Sequence, residues 1–168
     1  MPDTPIIPMP REGFDWLIVV PPQLTHRQAI RALEERFGVF CHYKVYEMNP
    51  DKIVIDNDRP ASMPSSYGVW VRPNIDADPE FSKMSAIDLQ QLKVSGITLL
   101  ERLVLELYRF VRTGRHGDVD SLTLCTGSRH PDGCIPTVYW AAPLGRLEIH
   151  WVFPHIKGKQ LRCRAVAA

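Results

Sequence analysis

Residues 98–114 have the sequence TLLERLVLELYRFVRTG, which is typical of one long amphipathic helix. Thr98 and Glu101 have the spacing of a capping box, in which each side chain accepts a hydrogen bond from the backbone N–H of the other residue. Gly114 follows the last turn, where a residue in the left-handed conformation commonly ends a helix. We therefore predict a helix over 98–113 that is packed in the core of the fold. Its apolar face consists of Leu99, Leu100, Leu103, Val104, Leu107 and Phe110.

Two shorter helices are predicted on the N-terminal side of the long one. They cover residues 26–37 and about 86–93, and each follows a capping box, which begins at Thr25 in the first and at Ser85 in the second. Gly38 stands where the first of these helices should end. The sequence therefore predicts about three helices in total.

Runs rich in β-branched and aromatic residues predict the strands. Four of them come before the long helix, at residues 14–20, 39–48, 52–56 and 67–72. The second and third of these strands flank the turn Asn49-Pro50-Asp51 and are expected to pair as a hairpin. Four more strands follow the long helix and are expected to form an antiparallel meander, at residues 121–126, 135–141, 145–153 and 160–166.

These elements together define the expected fold class. We predict an α+β fold with a mainly antiparallel sheet, about three helices, the 98–113 helix in the core and a C-terminal β-meander. Residues 1–13 contain four of the fifteen prolines and little that could pack, so they are expected to form an irregular Pro-rich arm. Residues 14–168 are expected to form a single α+β domain.

The composition is close to the average of globular proteins. The 168 residues are 45% hydrophobic and 23% charged, with a formal net charge of +1, which argues against disorder, collagen-like repeats and a disulfide-rich miniprotein. The charge is unevenly distributed, since residues 1–80 contain 8 basic and 12 acidic side chains, whereas residues 81–168 contain 12 and 7. This excess of positive charge is too mild for a dedicated nucleic-acid-binding protein.

The sequence carries no recognisable export or membrane signal. Its N-terminus lacks the basic and apolar regions of a signal peptide, and the longest apolar run, Trp16 to Val20, is too short to cross a bilayer. We therefore expect a soluble, cytoplasmic protein with no membrane association. The four cysteines form no CxxC pair and are expected to be free thiols.

Residues 125–134, CTGSRHPDGC, concentrate chemically reactive side chains between two predicted strands. A thiolate nucleophile at Cys125 or Cys134 could use His130 as its base, and Arg129 could hold an anionic or acyl substrate. The spacing matches no known phosphate-binding or nucleophile motif. A long hairpin loop, with Gly, Pro and Asp as turn formers, explains the same residues, so both interpretations stay open.

The same segment offers potential metal ligands. The residue types suit zinc, but their spacing lacks the usual paired cysteines of a structural zinc site, so no metal or other cofactor belongs to the preferred prediction. The low-probability zinc ligands are Cys125, His130, Cys134 and Cys163.

Polar and basic residues near the C-terminus suggest a binding surface. They alternate with apolar residues along the last two predicted strands, and further cations occur at the adjoining turn and at the end of the long helix. A sheet face of this kind suits an acidic protein surface or a nucleic-acid backbone. The candidate binding residues are Tyr139, His150, Arg162, Arg164, Lys157, Lys159, Arg112 and Arg115.

The preferred hypothesis is a small non-enzymatic interaction or regulatory module of the adaptor or inhibitor type. It would bind another macromolecule through the basic sheet face, with an acidic protein favoured as partner and nucleic acid as the alternative. An enzyme built on the 125–134 loop and a zinc-stabilised binding module are the alternatives. The oligomeric state is left open.

Overall fold

The computed structural model describes residues 4–56, 59 and 65–168, so the first three residues of the predicted arm lie outside the described part. The described residues have an α+β architecture with five α-helical segments and three sheets. The helices are α1 (His26–Glu34), α2 (His42–Val45), α3 (Pro50–Ile53), α4 (Ala86–Gln91) and α5 (Leu99–Thr113). The strands are β1 (Trp16–Val20), β2 (Gly38–Cys41), β3 (Ile55–Asp56), β4 (Tyr67–Val71), β5 (Leu122–Leu124), β6 (Ser128–Arg129), β7 (Ile135–Ala141), β8 (Arg146–Val152), β9 (Leu161–Cys163) and β10 (Val166–Ala167).

Helix α5 is the central element, as its sequence predicts. Both hydrogen bonds of the capping box form, because the Glu101 amide donates to the Thr98 hydroxyl at 3.1 Å and the Thr98 amide donates to the Glu101 carboxylate at 2.9 Å. Gly114 ends the helix with a φ of 69°. The apolar face of α5 packs against α1 and against strands β1 and β7, so the helix lies between two sheets.

The five-stranded sheet has the order β2-β8-β7-β5-β9 and is mixed. Its three inner strands pair antiparallel and form the expected meander, whereas β2 is parallel to β8 and β9 is parallel to β5. The predicted pairing of the last strand with its predecessor is therefore wrong. Leu161 and Cys163 instead lie beside β5, where they pack with Leu124 under helix α4. The alternating pattern defines the buried face of a strand but not its partner.

The predicted hairpin of residues 39–48 and 52–56 is also wrong. Strand β2 ends at Cys41, and the chain then forms the short helices α2 and α3, which raises the helix count from three to five. Tyr43 is fully buried in the core, and Pro50 begins α3 after the Asn49 side chain caps it. Strand β2 pairs with β8, and β3 pairs with β6.

The remaining strands form a three-stranded antiparallel sheet in the order β1-β4-β10. The N-terminal arm runs beside this sheet, since Ile6 forms a bridge with Tyr67 and the Trp70 indole donates a hydrogen bond to the carbonyl of Pro8 at 2.9 Å. Among the described residues, no helix is long and apolar enough to cross a membrane. All four cysteines are free and buried.

Candidate functional site

The 125–134 loop is anchored against the N-terminus of α5. The Gly127 amide donates to the carbonyl of Ile97 at 3.0 Å, and the Ser128 hydroxyl accepts from the amide of Leu99 at 2.8 Å while donating to the carboxylate of Asp56. A Cβ atom at Gly127 would lie only 2.5 Å from the carbonyl oxygen of Gly96, so the close approach requires glycine. These contacts fix the loop backbone before any ligand binds.

A groove of about 790 Å³ lies between this loop, the end of α4, strand β4 and the N-terminal arm. Its lining is mainly apolar and includes Ile6 and Val94, with the almost completely buried side chains of Val69 and Leu89 behind them. Arg129 of the loop lines it as well, together with several other polar residues. These are Arg59, Gln90, Lys93, Ser95 and Thr126.

The cations that line the groove differ in whether their charge is matched, that is, whether an acidic side chain forms an ion pair with it. Arg59 is buried and forms a two-pronged ion pair with Glu101, at 2.5 Å and 2.8 Å. Arg129 and Lys93 have no ion pair and no side-chain hydrogen bond within the described part of the chain. No Asp or Glu side chain is among the described residues that line the groove. Among the described residues, the groove therefore combines apolar walls with two cations, Arg129 and Lys93, that form no ion pair, and Ala168, the last residue of the sequence, lines it as well.

The two cysteines predicted as nucleophiles lie in surroundings that keep them protonated. Cys125 is 0% exposed within the main core, and Cys134 is 2% exposed. Burial raises the pKa of both thiols, that of Cys125 well above its usual range. Reactive cysteines have lowered pKa values and electropositive, partly exposed surroundings. Neither thiol therefore has the environment that thiolate catalysis requires.

His130 is not among the described residues that line the groove, although Arg129 precedes it directly and lines it. The His130 Nε2 atom lies 2.5 Å from the buried hydroxyl of Tyr43, and its Nδ1 atom lies 3.9 Å from the carboxylate of Asp132. Burial lowers the pKa of His130, which favours the neutral imidazole. Ligand atoms of His130, Asp132 and Cys134 all lie within 4.8 Å of one another.

The four zinc ligands suggested by the sequence do not assemble. Cys125 belongs to the main core and Cys163 to the smaller core under α4, where its Sγ atom lies 3.2 Å from the Thr126 hydroxyl. Of the expected four, the structure brings together His130 and Cys134 and adds Asp132.

The chain matches no protein-family model, no curated protein and no solved structure.

The predicted basic sheet face does not form as one surface. Arg162 of β9 pairs with Thr123 of β5, and Thr123 pairs with Val138 of β7. Paired residues point to the same face of a sheet, so these three side chains lie on the face that packs against the main core. Tyr139 follows Val138 and therefore points to the opposite face. Arg164 lies beyond the end of β9 and is only 1% exposed, so the expectation that it lies on a wet face is wrong.

The opposite face, which carries Tyr139 and His150, is not basic. His150 Nε2 lies 2.6 Å from the Glu148 carboxylate, which also accepts a hydrogen bond from Arg146 at 2.7 Å. His150 Nδ1 lies 2.7 Å from Nδ1 of His42. A buried carboxylate thus lies at the centre of this group and offsets its positive charge.

The other predicted binding residues are scattered over the surface. Lys157 forms an exposed ion pair with Asp88 at 2.7 Å, and Arg112 donates a hydrogen bond to the Tyr108 hydroxyl at 2.7 Å. Lys159 and Arg115 are exposed.

Arg164 belongs to a buried charge network around Asp118. Both Arg164 and Arg102 donate to the Asp118 carboxylate at 2.9 Å, and Arg102 also donates to Glu106 at 2.8 Å. Burial opposes the ionisation of Asp118, but the guanidinium groups of Arg164 and Arg102 outweigh it and hold its pKa below the usual range. Arg102 and His116 outweigh burial in the same way at Glu106, whose pKa is also lowered. These cations are structural.

Sequence reasoning identified Arg129 as an anion clamp but missed its neighbours in space. Lys93 was part of the predicted short helix, yet it lies beyond the end of α4 with a φ of 55° and lines the groove. Asp132 was treated as a turn residue, and Tyr43 was assigned to a strand. A tyrosine next to a histidine in an apolar run was the available signal for Tyr43, but nothing local indicates its contact with His130.

Proposed function

We propose that this protein binds an organic anion in the groove, with the acidic head at Arg129 and Lys93 and an apolar body along the groove walls. The observation that carries this proposal is the pair of unmatched cations in an apolar groove whose described lining contains no acidic side chain. A carboxylate with a hydrocarbon body is the ligand chemistry that complements both features.

The size and composition of the groove support this function. Small-molecule sites are commonly concave and roughly 300–1,000 Å³ in volume, with mainly apolar walls and a few polar groups that orient the ligand. The groove, at about 790 Å³, falls within that range. Val94, beyond the end of α4, and Ile6 of the arm both line the groove, so the two segments provide apolar surface for the body of the ligand.

Arg129 is well suited to hold the acidic head. Its guanidinium group can donate two parallel hydrogen bonds to a carboxylate, whereas Lys93 adds a point charge. The backbone of Arg129 is held in strand β6 by pairing with Ile55 of β3. Little ordering of the loop is therefore needed on binding, which favours affinity.

This proposal keeps the non-enzymatic role expected from the sequence, but it replaces the expected macromolecular partner with a small organic anion and moves the binding site. The anion is held by Arg129 of the 125–134 loop rather than by Arg162 and Arg164 of the last strands. A nucleophilic step at Cys125 or Cys134 is not part of the proposal, because both thiols are buried and protonated.

Isothermal titration calorimetry with octanoate, and with octanol as the uncharged comparator, tests the proposal. Octanoate should bind saturably, and octanol should bind at least about tenfold more weakly, since hydrogen bonds to charged groups contribute roughly 1.5–3 kcal/mol. Arg129→Gln should weaken octanoate binding by about tenfold or more for the same reason.

Arg112→Gln is the matched control, because Arg112 is an exposed arginine of α5 that does not line the groove. It should leave octanoate affinity unchanged. Equal affinity of Arg129→Gln and the wild-type protein for octanoate would exclude the assigned site, as would equal binding of octanol and octanoate.

A further inference from the structure

We propose that His130, Asp132 and Cys134 of the 125–134 loop form a zinc-binding site separate from the groove. Their imidazole, carboxylate and thiol groups already lie within 4.8 Å of one another. The proposal is independent of the anion-binding function, because none of these three residues lines the groove.

The arrangement requires only a small contraction to hold the metal. Zinc binds nitrogen, oxygen and sulfur at about 2.0–2.3 Å, which places the ligand atoms of a tetrahedral site roughly 3.3–3.8 Å apart. The Nδ1 atom of His130 is 3.9 Å from the carboxylate of Asp132. Asp132 is largely exposed, and its carboxylate is held only by one hydrogen bond from the Cys134 amide, at 3.0 Å, so a small adjustment of its side chain is sterically open.

The second nitrogen of His130 provides an independent reason for this assignment. Nε2 contacts the hydroxyl of Tyr43, a fully buried residue, at 2.5 Å. Nδ1 makes no hydrogen bond within the described part of the chain, although the His130 side chain is only 3% exposed. Metal-binding histidines typically donate the other ring N–H to a fixed partner, which sets the tautomer and the ring orientation. Tyr43 supplies that partner and leaves Nδ1 available beside Asp132 and Cys134.

The loop backbone holds the three ligands close to one another. The His130 amide donates to the carbonyl of Cys134 at 2.8 Å, and the Cys134 amide donates to the Asp132 carboxylate at 3.0 Å. Gly133 allows the tight turn between them, with a φ of 89°. The ligands therefore need not be gathered from a disordered chain.

The ligand set selects zinc rather than magnesium or calcium. Thiolate and imidazole ligands favour zinc and related transition metals, whereas magnesium and calcium require oxygen ligands. Three protein ligands leave one position of a tetrahedral site open. Because Asp132 is exposed, that position faces solvent and is available to water or to a small anion.

Cobalt titration of the full-length chain, after treatment with a chelator, tests this assignment. One equivalent of Co²⁺ should bind and give the near-ultraviolet charge-transfer absorption of a cobalt–thiolate bond, and Zn²⁺ should displace it. Cys134→Ser should abolish that absorption.

Asp132→Asn should weaken zinc binding, whereas Asp120→Asn, at another exposed loop aspartate, should not. Tyr43→Phe, which removes the positioning hydroxyl, should weaken zinc binding by about 10–100-fold and keep the charge-transfer absorption.

His155→Ala is the control for adventitious binding, because His155 is exposed and lies outside the proposed site. It should change neither stoichiometry nor affinity. Binding that disappears in His155→Ala, or a cobalt spectrum without the thiolate absorption, would overturn the assignment. Unchanged zinc affinity in Asp132→Asn would do the same, and it does not depend on the folding of a variant altered in the core.

Discussion

Arg164 and Arg129 both carry a guanidinium group, but the first is enclosed by protein and the second lines an open groove. Arg164 donates to the Asp118 carboxylate and to the backbone carbonyls of Asn74 and Ile75. Arg129 has no such partner within the described residues. The difference shows that a structural role for a cation is indicated by the groups that match its charge and not by its presence alone.

The physical basis of this difference is the cost of removing a charge from water. A fully buried guanidinium group is tolerated only when carboxylates and carbonyls replace its hydration, as they do around Asp118. A partly exposed guanidinium group keeps much of its water and needs no internal partner. Arg129 can therefore stay unmatched without destabilising the fold and is available to an anion.

The largest predicted loss of stability comes from removing the charge of Asp118, which lies at the centre of the buried charge network. Asp118→Asn preserves the shape of the side chain but leaves Arg102 and Arg164 without their shared carboxylate. Asparagine also tolerates the φ of 54° at this position, so the change isolates the charge. Removing one partner of a buried ion pair costs about 3–5 kcal/mol, and urea denaturation should show a loss of that size.

Asp120→Asn is the control for this prediction and should change the free energy of unfolding by less than about 0.5 kcal/mol, because Asp120 is exposed.

The contribution of Asp118 to stability depends on pH with a definite sign. Since the pKa of Asp118 is lower in the folded state than in the unfolded state, its contribution is present above the unfolded pKa and is lost as the pH falls through the folded pKa. Asp118→Asn should therefore lose less stability than the wild type in acid below about pH 4. A loss of stability as small as that of Asp120→Asn would contradict the structural role of the network.

Arg164 illustrates why its role could not be predicted from the sequence. The alternation of Leu161 and Cys163 with Arg162 and Arg164 suggests one wet face along a continuous strand. Strand β9 ends at Cys163, however, so the alternation no longer applies at Arg164, which turns into the core. Its partner Asp118 lies 46 residues away, and no local pattern encodes that contact.

Local signals were sufficient for other parts of the molecule. The capping box and apolar face of α5 depend on residues three or four positions apart, and that helix was predicted to within one residue at its N-terminus. The partners of β2 and β9 depend on contacts between distant segments, so the expected hairpin and the end of the meander were wrong. Sequence reasoning found the reactive loop but treated Arg129 and His130 as one site, although they face different surroundings.

A prediction of intermediate size concerns the packing beneath the groove. A Cβ atom at Gly96 would lie 1.7 Å from the Thr126 hydroxyl and 3.1 Å from the Sγ atom of Cys163. Gly96→Ala should therefore lower the free energy of unfolding by about 1–3 kcal/mol, as overpacking of a core does. It should also weaken octanoate binding, because Thr126 lines the groove. This result would show that the shape of the groove depends on the close packing of Gly96 against Thr126.

A double-mutant cycle tests whether the clash with Thr126 causes the loss of stability in Gly96→Ala. Thr126→Ala removes the atom that meets the new methyl group, so Gly96→Ala should cost less stability in the Thr126→Ala background than in the wild type. Because the two residues are in contact, we expect a favourable coupling energy: the double mutant should be more stable than the sum of the two single effects predicts. An equal cost in both backgrounds would mean that another contact of Gly96, such as that with Cys163, limits the substitution.

The smallest expected effect is that of Arg129→Gln on stability. It tests the comparison most directly when the same substitution is also made at Arg164, an arginine whose charge is matched by Asp118. Arg164→Gln removes one partner of the buried ion pair with Asp118 and should lower the free energy of unfolding by about 3–5 kcal/mol, by the same rule as Asp118→Asn. Arg129→Gln removes a charge without a partner among the described residues and should change it by less than about 0.5 kcal/mol. Urea denaturation of the two variants under identical conditions gives this difference. If Arg129→Gln were as destabilising as Arg164→Gln, Arg129 would be part of the structural charge balance, and its availability to an anion would have no physical basis.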